Sequence, residues 1–306
     1  MIWYAARKEV LGEIMKTDIV CEIMHTDSER ASAVSCLDEV FRIFRDFEAR
    51  YSRFIQGNEL WQLNMSEESV VSEELFDLLV QAKRYHEMTG GIFDPSILPV
   101  MESSGYAGAY VDQAIFGKVD FSELKLDAAS RTVTKPKDML IDLGGIGKGF
   151  VIDAVTRFLA HRFDNFLVDA GGDIRVRGVN MKESYPYWAI DIEHPAAPGE
   201  AVATLLLKDR AVATSGRNRR YWVHEGEEKY HIIDPASRKN PSDELLSVTV
   251  IAQSATEADV FAKTLFIAGK EEGSKMAERL KMPAAFADKE GAIIRNHYIE
   301  PYVWKP

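Results

Sequence analysis

The sequence of 306 residues contains only two cysteines, Cys21 and Cys36. Two thiols are too few for a disulfide framework or for a zinc site built from cysteines, and they are typical of a reducing compartment. The sequence also lacks an apolar run of the roughly 18 residues that a membrane-spanning helix requires. Its start, which includes Arg7, Lys8 and Glu9, lacks the continuous apolar segment of a signal peptide. We therefore predict a cytoplasmic protein without a membrane span.

Positive charge is scarce as well. The chain has 37 Lys and Arg against 48 Asp and Glu, a formal net charge of -11. Nucleic-acid binding needs clustered Lys and Arg, and the densest basic run is the short one at 217–220. The sequence therefore argues against a nucleic-acid partner, whereas a small anionic ligand held by local charges remains compatible with it. A hydrophobic content of 46% excludes disorder and supplies a large core.

Hydrophobic spacing predicts the main elements. A capping box at Thr26 and Glu29 opens the first helix, which has an apolar stripe of Val34, Leu37, Phe41 and Phe44. Helices are predicted at about 26–48, 73–88, 150–159, 256–268 and 272–280, and a turn-rich stretch at 94–116. Strands are predicted at 139–143, 166–170, 174–177, 188–192, 202–207, 221–224, 229–233 and 246–252, with a strand pair around 289–291.

The order of these elements predicts the fold class. Gly, Pro and Asp between the strands favour mostly antiparallel sheets over repeated crossover units. No repeat or long linker separates independent domains. We therefore expect one α+β domain over residues 1–306, with two lobes, mostly antiparallel sheets flanked by helices, and a ligand cleft between the lobes.

A glycine-rich segment at 141–149 joins a predicted strand to a predicted helix. Glycines at such a junction let backbone N–H groups approach a phosphate at the positive end of a helix, and Lys148 adds a cation. The segment fails the Walker pattern, because Gly149 follows Lys148. It also fails the dinucleotide-binding fingerprint, because Phe150 occupies a position that requires glycine. It predicts either a phosphate-binding loop or a tight turn.

Two further pairs are candidates for chemistry. His231 and Asp234 are three residues apart, so Asp234 orients either the imidazole or the following turn, and His231 is a candidate general base. Asp259 and Lys263 lie four residues apart on one helical face, a spacing that is usually a modest surface contact. Because His-x-x-x-His and Cys-x-x-Cys are absent, any bound metal should be a hard, oxygen-liganded ion such as Mg²⁺.

Several short segments, taken in order, resemble those of the FAD:protein FMN transferase family, also called the ApbE family. They are Ile14-Met15-Lys16-Thr17, Tyr51-Ser52-Arg53-Phe54, and the segments at 58–64, 91–96, 141–149, 169–173, 213–216 and 231–235. Each segment by itself is only a modest match to the family. The complete set in this order is specific for the family, and it spans most of the chain. Members of the family transfer FMN from FAD through a phosphoester bond to a threonine or serine of an acceptor flavoprotein. They release AMP, and a divalent cation assists.

The resemblance implies roles for individual residues. His231 and Lys148 would be catalytic, as a base and as a phosphate-binding cation. Met15, Phe54 and Phe93 would line the flavin pocket, and Asp94 and Asp142 would orient the flavin or adenine edge. The full set implied for FAD binding is Met15, Phe54, Ile92, Phe93, Asp94, Asp142, Lys148, His231 and Ile232. The carbonyl oxygen of Gly145 and the carboxylate of Asp259 would hold Mg²⁺.

One position departs from the family pattern. The family has a Thr four residues after the metal-binding Asp, and here that position is Lys263. Thr264 is one residue too late, because each residue turns a helix by about 100°. Either the Lys263 ammonium replaces Mg²⁺ beside the diphosphate, or Gly145 and Asp259 still bind the ion with water completing the shell. Lys16 and Arg238 also replace glycines of the family.

These observations lead to three hypotheses. The first is an FMN transferase that acts on a separate acceptor flavoprotein. The second is a catalytically impaired flavin-nucleotide binding protein, which the Lys263 departure suggests. The third is an FAD pyrophosphatase that releases FMN and AMP. In each case we expect Gly145, His231 and Asp259 to converge in the cleft.

Overall fold

The structure, a computed structural model, describes residues 2–106, 120–183, 185–197, 199–217, 221–242 and 244–305. From position 107 onward, the predicted turn-rich stretch at 94–116 lies outside the described residues. Positions 218–220 of the basic run also lie outside them. Among the described residues, none of the helices combines the length and hydropathy that a membrane crossing demands.

The described residues form six α-helices and fifteen strands, and the paired strands are antiparallel. The helices are α1 (Arg30–Tyr51), α2 (Glu59–Met65), α3 (Glu73–Met88), α4 (Leu98–Ser103), α5 (Gly147–Ala160) and α6 (Ala255–Arg279). The strands are β1 (Tyr4–Ile14), β2 (Thr17–His25), β3 (Glu68–Val70), β4 (Lys125–Asp127), β5 (Thr132–Thr134), β6 (Phe166–Ala170), β7 (Asp173–Arg177), β8 (Trp188–Glu193), β9 (Ala201–Leu207), β10 (Ala211–Gly216), β11 (Tyr221–His224), β12 (Glu227–Tyr230), β13 (Leu245–Ala252), β14 (Ala284–Asp288) and β15 (Ile293–Arg295).

The chain divides into two compact units. Unit 1 comprises Met1–Asp46, Lys148–Gly216 and Asp243–Pro306, and unit 2 comprises Phe47–Gly147 and Arg217–Ser242. The predicted mixture of helices and mostly antiparallel sheets is confirmed. The single domain at 1–306 and the ligand cleft stay predictions.

Unit 1 is built on an eight-stranded sheet with the order β1-β2-β6-β7-β10-β13-β14-β15. The β8–β9 ribbon packs its alternate residues, such as Trp188 and Ile190, into a core shared with Val176, Val212 and Ile251 of the sheet. Alternation along β8 buries one side chain in two, as expected for a strand with one covered face. Helix α6 packs against β7, β10 and β13, which fixes the helix relative to those strands.

Unit 2 contains helices α2 to α4, the small sheet β3-β5-β4 and the hairpin β11–β12. The predicted bounds of α3 are confirmed. The Ser72 hydroxyl accepts a hydrogen bond from the Leu75 N–H at 3.3 Å, and the helix is followed by Gly90 and Gly91 with φ of 62° and 83°. The β11–β12 turn also has positive φ at both Glu225 and Gly226, as a tight hairpin requires.

The prediction of a strand at 139–143 is wrong, although the segment is buried as expected. Its backbone is satisfied by loop carbonyls and by a side chain instead of a neighbouring strand: the Met139 and Asp142 N–H groups donate to the Pro136 and Pro95 carbonyls at 3.1 and 2.8 Å. Ile141 N–H donates to Asn64 Oδ1 at 2.8 Å, and Asn64 Nδ2 donates back to the Ile141 carbonyl at 3.0 Å. Helix α5 then begins at Gly147, three residues earlier than predicted, so Lys148 lies in its first turn.

Other differences are local. Val34 is 52% exposed, so the apolar stripe of α1 is formed by Leu37, Phe41 and Phe44 without it. Strands β1 and β2 were not predicted, because their sequences mix charged with apolar residues. The predicted break at Gly269 is confirmed, since φ of 80° and ψ of 179° interrupt α6 there.

Candidate functional site

Four charged side chains of unit 1 form one cluster. Lys148, in the first turn of α5, donates a hydrogen bond to Asp173 Oδ2 in β7. Lys263 Nζ lies 3.1 Å from Oδ1 of Asp259, one turn earlier in α6. The carboxyl groups of Asp173 and Asp259 interact electrostatically, and the Lys263 ammonium also acts on Asp173. Two carboxylates and two ammonium groups therefore balance each other in one place.

The two carboxylates form the buried side of this cluster. The side chains of Asp173 and Asp259 are 2% and 4% exposed, whereas those of Lys148 and Lys263 are 23% and 17% exposed. Burial raises the pKa of Asp173, the Lys148 ammonium opposes that rise, and the Asp259 carboxylate adds to it. The accessible side chains of the cluster are therefore the cationic ones.

Close contact between α5 and α6 positions the cluster. The Asp153 carboxylate in α5 accepts hydrogen bonds from the N–H groups of Ala255 and Thr256, both at 2.9 Å, and from the Thr256 hydroxyl at 2.6 Å. A Cβ atom added at Gly149 would lie 2.5 Å from Thr256 Cα, which is too close for a real contact. Only glycine, which has no Cβ, therefore fits at this position. The first turn of α5, which carries Lys148, is thus held directly against the first turn of α6.

The turn before β7 packs against the start of β2, which directly follows the β1–β2 turn that contains Met15. The Gly171 N–H donates to the Asp18 carbonyl at 2.8 Å, and a Cβ at Gly171 would lie 2.1 Å from Thr17 Oγ1. Met15 is half-buried and has φ of 54°. The family-like segments around Met15 and Asp173 are therefore neighbours in unit 1.

Two departures from the family pattern occur at left-handed backbone positions. Lys16 has φ of 51° and Arg238 has φ of 58°. Glycine adopts such angles freely, whereas another L-residue costs on the order of 1–2 kcal/mol. The positive φ angles explain why glycine is favoured at these two positions. In this chain both turns form with Lys16 and Arg238 in place of glycine.

The glycine-rich segment of unit 2 forms a turn organised by Asp142. Asp142 Oδ1 accepts a hydrogen bond from the Gly144 N–H at 2.8 Å, and the Ile146 and Gly147 N–H groups donate to the Leu143 carbonyl. Gly145 is half-buried within this turn. The tight-turn alternative therefore describes the local geometry, and it leads directly into α5.

Asp94 and its neighbours form a buried loop in unit 2. Asp94 Oδ1 accepts hydrogen bonds from the Ser96 N–H at 2.7 Å and the Ser96 hydroxyl at 2.6 Å, and Oδ2 accepts one from the Phe121 N–H at 3.2 Å. Phe93 is buried and Ile92 half-buried, and His86 Nδ1 lies 3.0 Å from the Phe93 carbonyl oxygen. The contacts of Asp94 in the structure hold this loop, and its role in binding FAD stays a prediction.

His231 follows β12, and the chain around it is held by Asn240. Asn240 Nδ2 donates to the carbonyl oxygens of Tyr230 and Ile232 at 2.6 and 2.7 Å. Asp234 accepts hydrogen bonds from N–H groups at 236 and 237, so it holds the following turn. His231 is half-buried and Ile232 is buried. Asn240 was not predicted, since nothing in its sequence context distinguishes it.

A group of stacked side chains surrounds Arg53 in unit 2. The Arg53 guanidinium carbon lies 4.4 Å from the Phe54 ring centroid and 4.6 Å from that of Tyr106. Trp222 lies against Tyr106 with ring centroids 4.7 Å apart. Phe54, predicted to line the flavin pocket, is 39% exposed. Sequence reasoning did not assign a role to Tyr106 or Trp222, which are distant from Phe54 along the chain.

The residues present do not fit a divalent cation. Mg²⁺ is usually anchored by one or two carboxylates that are available to it, and the described residues contain no group of three or more His, Cys, Asp or Glu that could hold a metal ion. Of the cluster carboxylates, Asp173 is paired with Lys148 and Asp259 with Lys263. The Thr264 hydroxyl is buried and donates to the Val260 carbonyl at 2.8 Å.

The fold and the cluster together define an α+β protein with a cationic accessible site. Residues 15–286 match the ApbE family. FAD:protein FMN transferases of Vibrio cholerae and Haemophilus influenzae are 28% and 27% identical to the chain. The alignments cover 80% and 88% of this chain and 77% and 82% of theirs.

Solved structures give the same result. The ApbE protein of Thermotoga maritima has a TM-score of 0.84 at 25% identity, covering 99% of this chain and 100% of that one. The flavin transferase ApbE of Vibrio cholerae has a TM-score of 0.81 at 25% identity, covering 98% and 100%. The chain belongs to the ApbE family.

The structure brings some of the predicted site residues together. Lys148, Asp259 and Lys263 share one cluster with Asp173. Asp173 belongs to the family-like segment at 169–173 but was not predicted as a site residue. Asp142 and Gly145 share one turn in unit 2, and Asp94 and Phe93 share another loop. The convergence of Gly145, His231 and Asp259 stays a prediction.

Proposed function

We propose that this protein is an enzyme that transfers FMN from FAD to a threonine or serine hydroxyl of an acceptor flavoprotein, with release of AMP. Membership of a family whose relatives bear the name FAD:protein FMN transferase supports this proposal. The single structural observation that carries it is the cluster whose accessible side chains, Lys148 and Lys263, are cationic. Such a surface suits the diphosphate of FAD.

The proposed step is a phosphoryl substitution. The acceptor hydroxyl oxygen bonds to the phosphorus of the FMN half of FAD, and the bond from that phosphorus to the bridging oxygen breaks. AMP leaves with the bridging oxygen, and the hydroxyl proton passes to a base. The products are AMP and a protein that carries FMN through a phosphodiester.

We assign roles to the chain's own residues in this step. Lys148 stabilises the negative charge that develops on the phosphoryl oxygens, and His231 accepts the proton from the acceptor hydroxyl. Met15, Phe54, Ile92, Phe93 and Ile232 contact the flavin, and Asp94 and Asp142 orient FAD directly or through their loops. The cation needed at the diphosphate is supplied by lysine in this proposal, so no step depends on Mg²⁺.

Flavin transfer can be measured directly. The protein is incubated with FAD and an acceptor flavoprotein domain, the acceptor is followed by in-gel flavin fluorescence, and AMP is quantified by chromatography. We expect a fluorescent acceptor and one AMP per flavin transferred. The variant His231→Ala should lower labelling by at least about 100-fold, because it removes the base. The matched control His297→Ala, at a 68% exposed side chain in unit 1, should label normally.

Two outcomes would contradict the proposal. Tight FAD binding without labelling, when an established transferase labels the same acceptor, would indicate a binding protein. Release of FMN and AMP without any acceptor would indicate a pyrophosphatase. Within the part of the chain that the structure describes, no contact favours either alternative.

A further inference from the structure

The placement of Lys263 is the starting observation. It lies one helical turn after Asp259 in α6, and its ammonium nitrogen approaches Asp259 Oδ1 to 3.1 Å. Its side chain is only 17% exposed, so it packs along the protein and does not extend into solvent like a typical surface lysine. Asp259 therefore fixes this ammonium in position.

The charges around Lys263 repel another cation. Both carboxylates of the cluster already have an ammonium partner, so no net negative charge remains to attract a divalent ion. The side chains of Lys148 and Lys263 are more exposed than those of Asp173 and Asp259, so an approaching Mg²⁺ would meet two lysines before it met the buried carboxylates. Each such contact is repulsive, and twice as strongly for a divalent as for a monovalent ion. An approaching anion meets the same two groups with attraction.

The carboxylate that would anchor a metal is also already engaged. Asp259 Oδ1 is paired with the Lys263 ammonium, and Asp259 Oδ2 is buried and has no hydrogen-bond partner among the described residues. Mg²⁺ keeps several waters and is usually anchored by one or two carboxylates together with substrate phosphates, but here the anchoring carboxylate, Asp259, is already paired with the Lys263 ammonium. A lysine needs no such shell, since its ammonium carries its own charge and three hydrogen-bond donors.

We propose that Lys263 takes the place of the divalent cation in this protein, binding the diphosphate of FAD directly through its ammonium. Asp259 acts as the positioning residue that holds the ammonium. Lys148 and Lys263 together supply two positive charges to the phosphoryl oxygens, and the metal is not required. This inference rests on the proposed function for its catalytic consequence.

Metal binding tests the inference without relying on activity. Mn²⁺ is titrated into the full-length protein and the free ion is measured by electron paramagnetic resonance. The variant Lys263→Thr removes the ammonium and supplies the hydroxyl that the family has at this position. We expect Lys263→Thr to bind Mn²⁺ at least tenfold more tightly than the unmodified protein. Lys275→Thr, at a 61% exposed lysine of the same helix, is the matched control and should leave Mn²⁺ binding unchanged.

FAD binding and transfer provide the second measurement. In EDTA, Lys263→Met should weaken FAD binding by about 10- to 100-fold, the loss expected for one charge-assisted hydrogen bond. The unmodified protein should label the acceptor equally in Mg²⁺ and in EDTA. Lys263→Thr should label it only in Mg²⁺, because the ion then supplies the missing charge.

The inference is overturned if the unmodified protein binds Mn²⁺ as tightly as Lys263→Thr, or if EDTA abolishes its labelling. Failure of the proposed function gives a different pattern. In that case no form labels the acceptor in any buffer, while the Mn²⁺ titration and the FAD affinities in EDTA still decide the role of Lys263.

Discussion

Gly149 shows how one small residue sets a distance within the cluster. Its missing side chain lets the start of α5 approach the backbone at Thr256, and Asp153 closes the same contact with three hydrogen bonds. Lys148 is adjacent in sequence to Gly149. The position of the cationic cluster therefore depends on a glycine that contributes no functional group.

We predict that Gly149→Ala destabilises the protein by about 1–3 kcal/mol, the usual range for overpacking a rigid contact. The clash is with backbone atoms of Ala255 and Thr256 at 2.5–2.6 Å, which cannot move aside as a flexible side chain does. Gly147→Ala is the matched comparison, because the tightest contact of its Cβ would be with the Phe47 ring at 3.3 Å, a side chain that can shift. Leu143 Cβ, at 3.9 Å, is in ordinary van der Waals contact, so this variant should stay within about 1 kcal/mol of the unmodified protein. Urea unfolding measures both, and equal losses would refute the argument.

The segment before α5 is held in place by side chains and not by a neighbouring strand. Residues 139–143 are buried without belonging to a sheet, and side chains replace the missing strand partner. Lys135 contributes by donating hydrogen bonds to the carbonyl oxygens of Asn64 at 3.2 Å and Met139 at 2.9 Å. Burial lowers the pKa of Lys135 from its ordinary value of 10.5 to about 8. A buried amine thus holds in place the chain that leads into the glycine-rich turn.

The lowered pKa of Lys135 predicts a pH dependence of stability. Between pH 8 and 10.5 the unfolded chain binds this proton and the folded chain does not, so the free energy of unfolding rises with pH in that window. The slope from this group is at most about 1.4 kcal/mol per pH unit. Urea unfolding between pH 7 and 10 should show a shallower rise for Lys135→Met than for Lys137→Met, a change at an exposed neighbour. Identical slopes for both variants would show that Lys135 keeps its ordinary pKa.

At the scale of the whole molecule, the two cysteines report on global unfolding. Cys21 and Cys36 are both buried and free, and burial raises the pKa of the Cys21 thiol. A thiol that is buried and protonated reacts slowly with disulfide reagents. Reaction therefore requires the protein to open.

We predict that Ellman's reagent modifies neither thiol of the folded protein on the timescale on which it modifies both in urea. FAD at 100 times its dissociation constant should slow the reaction in native buffer about 100-fold, because it binds the folded state. In concentrated urea FAD should have no effect, which controls for direct inhibition of the reagent. A fast reaction that FAD does not slow would mean that a thiol is accessible in the folded protein.

Local sequence signals predicted the elements that depend on them. The bounds of α3 follow from Ser72 and the glycines after Met88, and the break in α6 follows from Gly269. Strands β1 and β2 were missed because their partners, rather than their composition, make them strands: β2 pairs with both β1 and β6. The segment at 139–143 was wrongly predicted to be a strand because its sequence shows only that it is buried. Burial does not reveal whether its backbone hydrogen bonds go to a neighbouring strand or to a side-chain amide such as that of Asn64.

The sequence by itself determined the family-like order of motifs, the glycine-rich turn before α5, and the one-turn spacing of Asp259 and Lys263. These features are local, since they depend on residues within a few positions of each other. Only the tertiary structure decided that Lys148, Asp173, Asp259 and Lys263 form one balanced cluster. They come from α5, β7 and α6, and their contacts depend on how those elements pack. Packing also buried the carboxylates and left the lysines more exposed, because an ammonium can remain near water while its stem covers the protein.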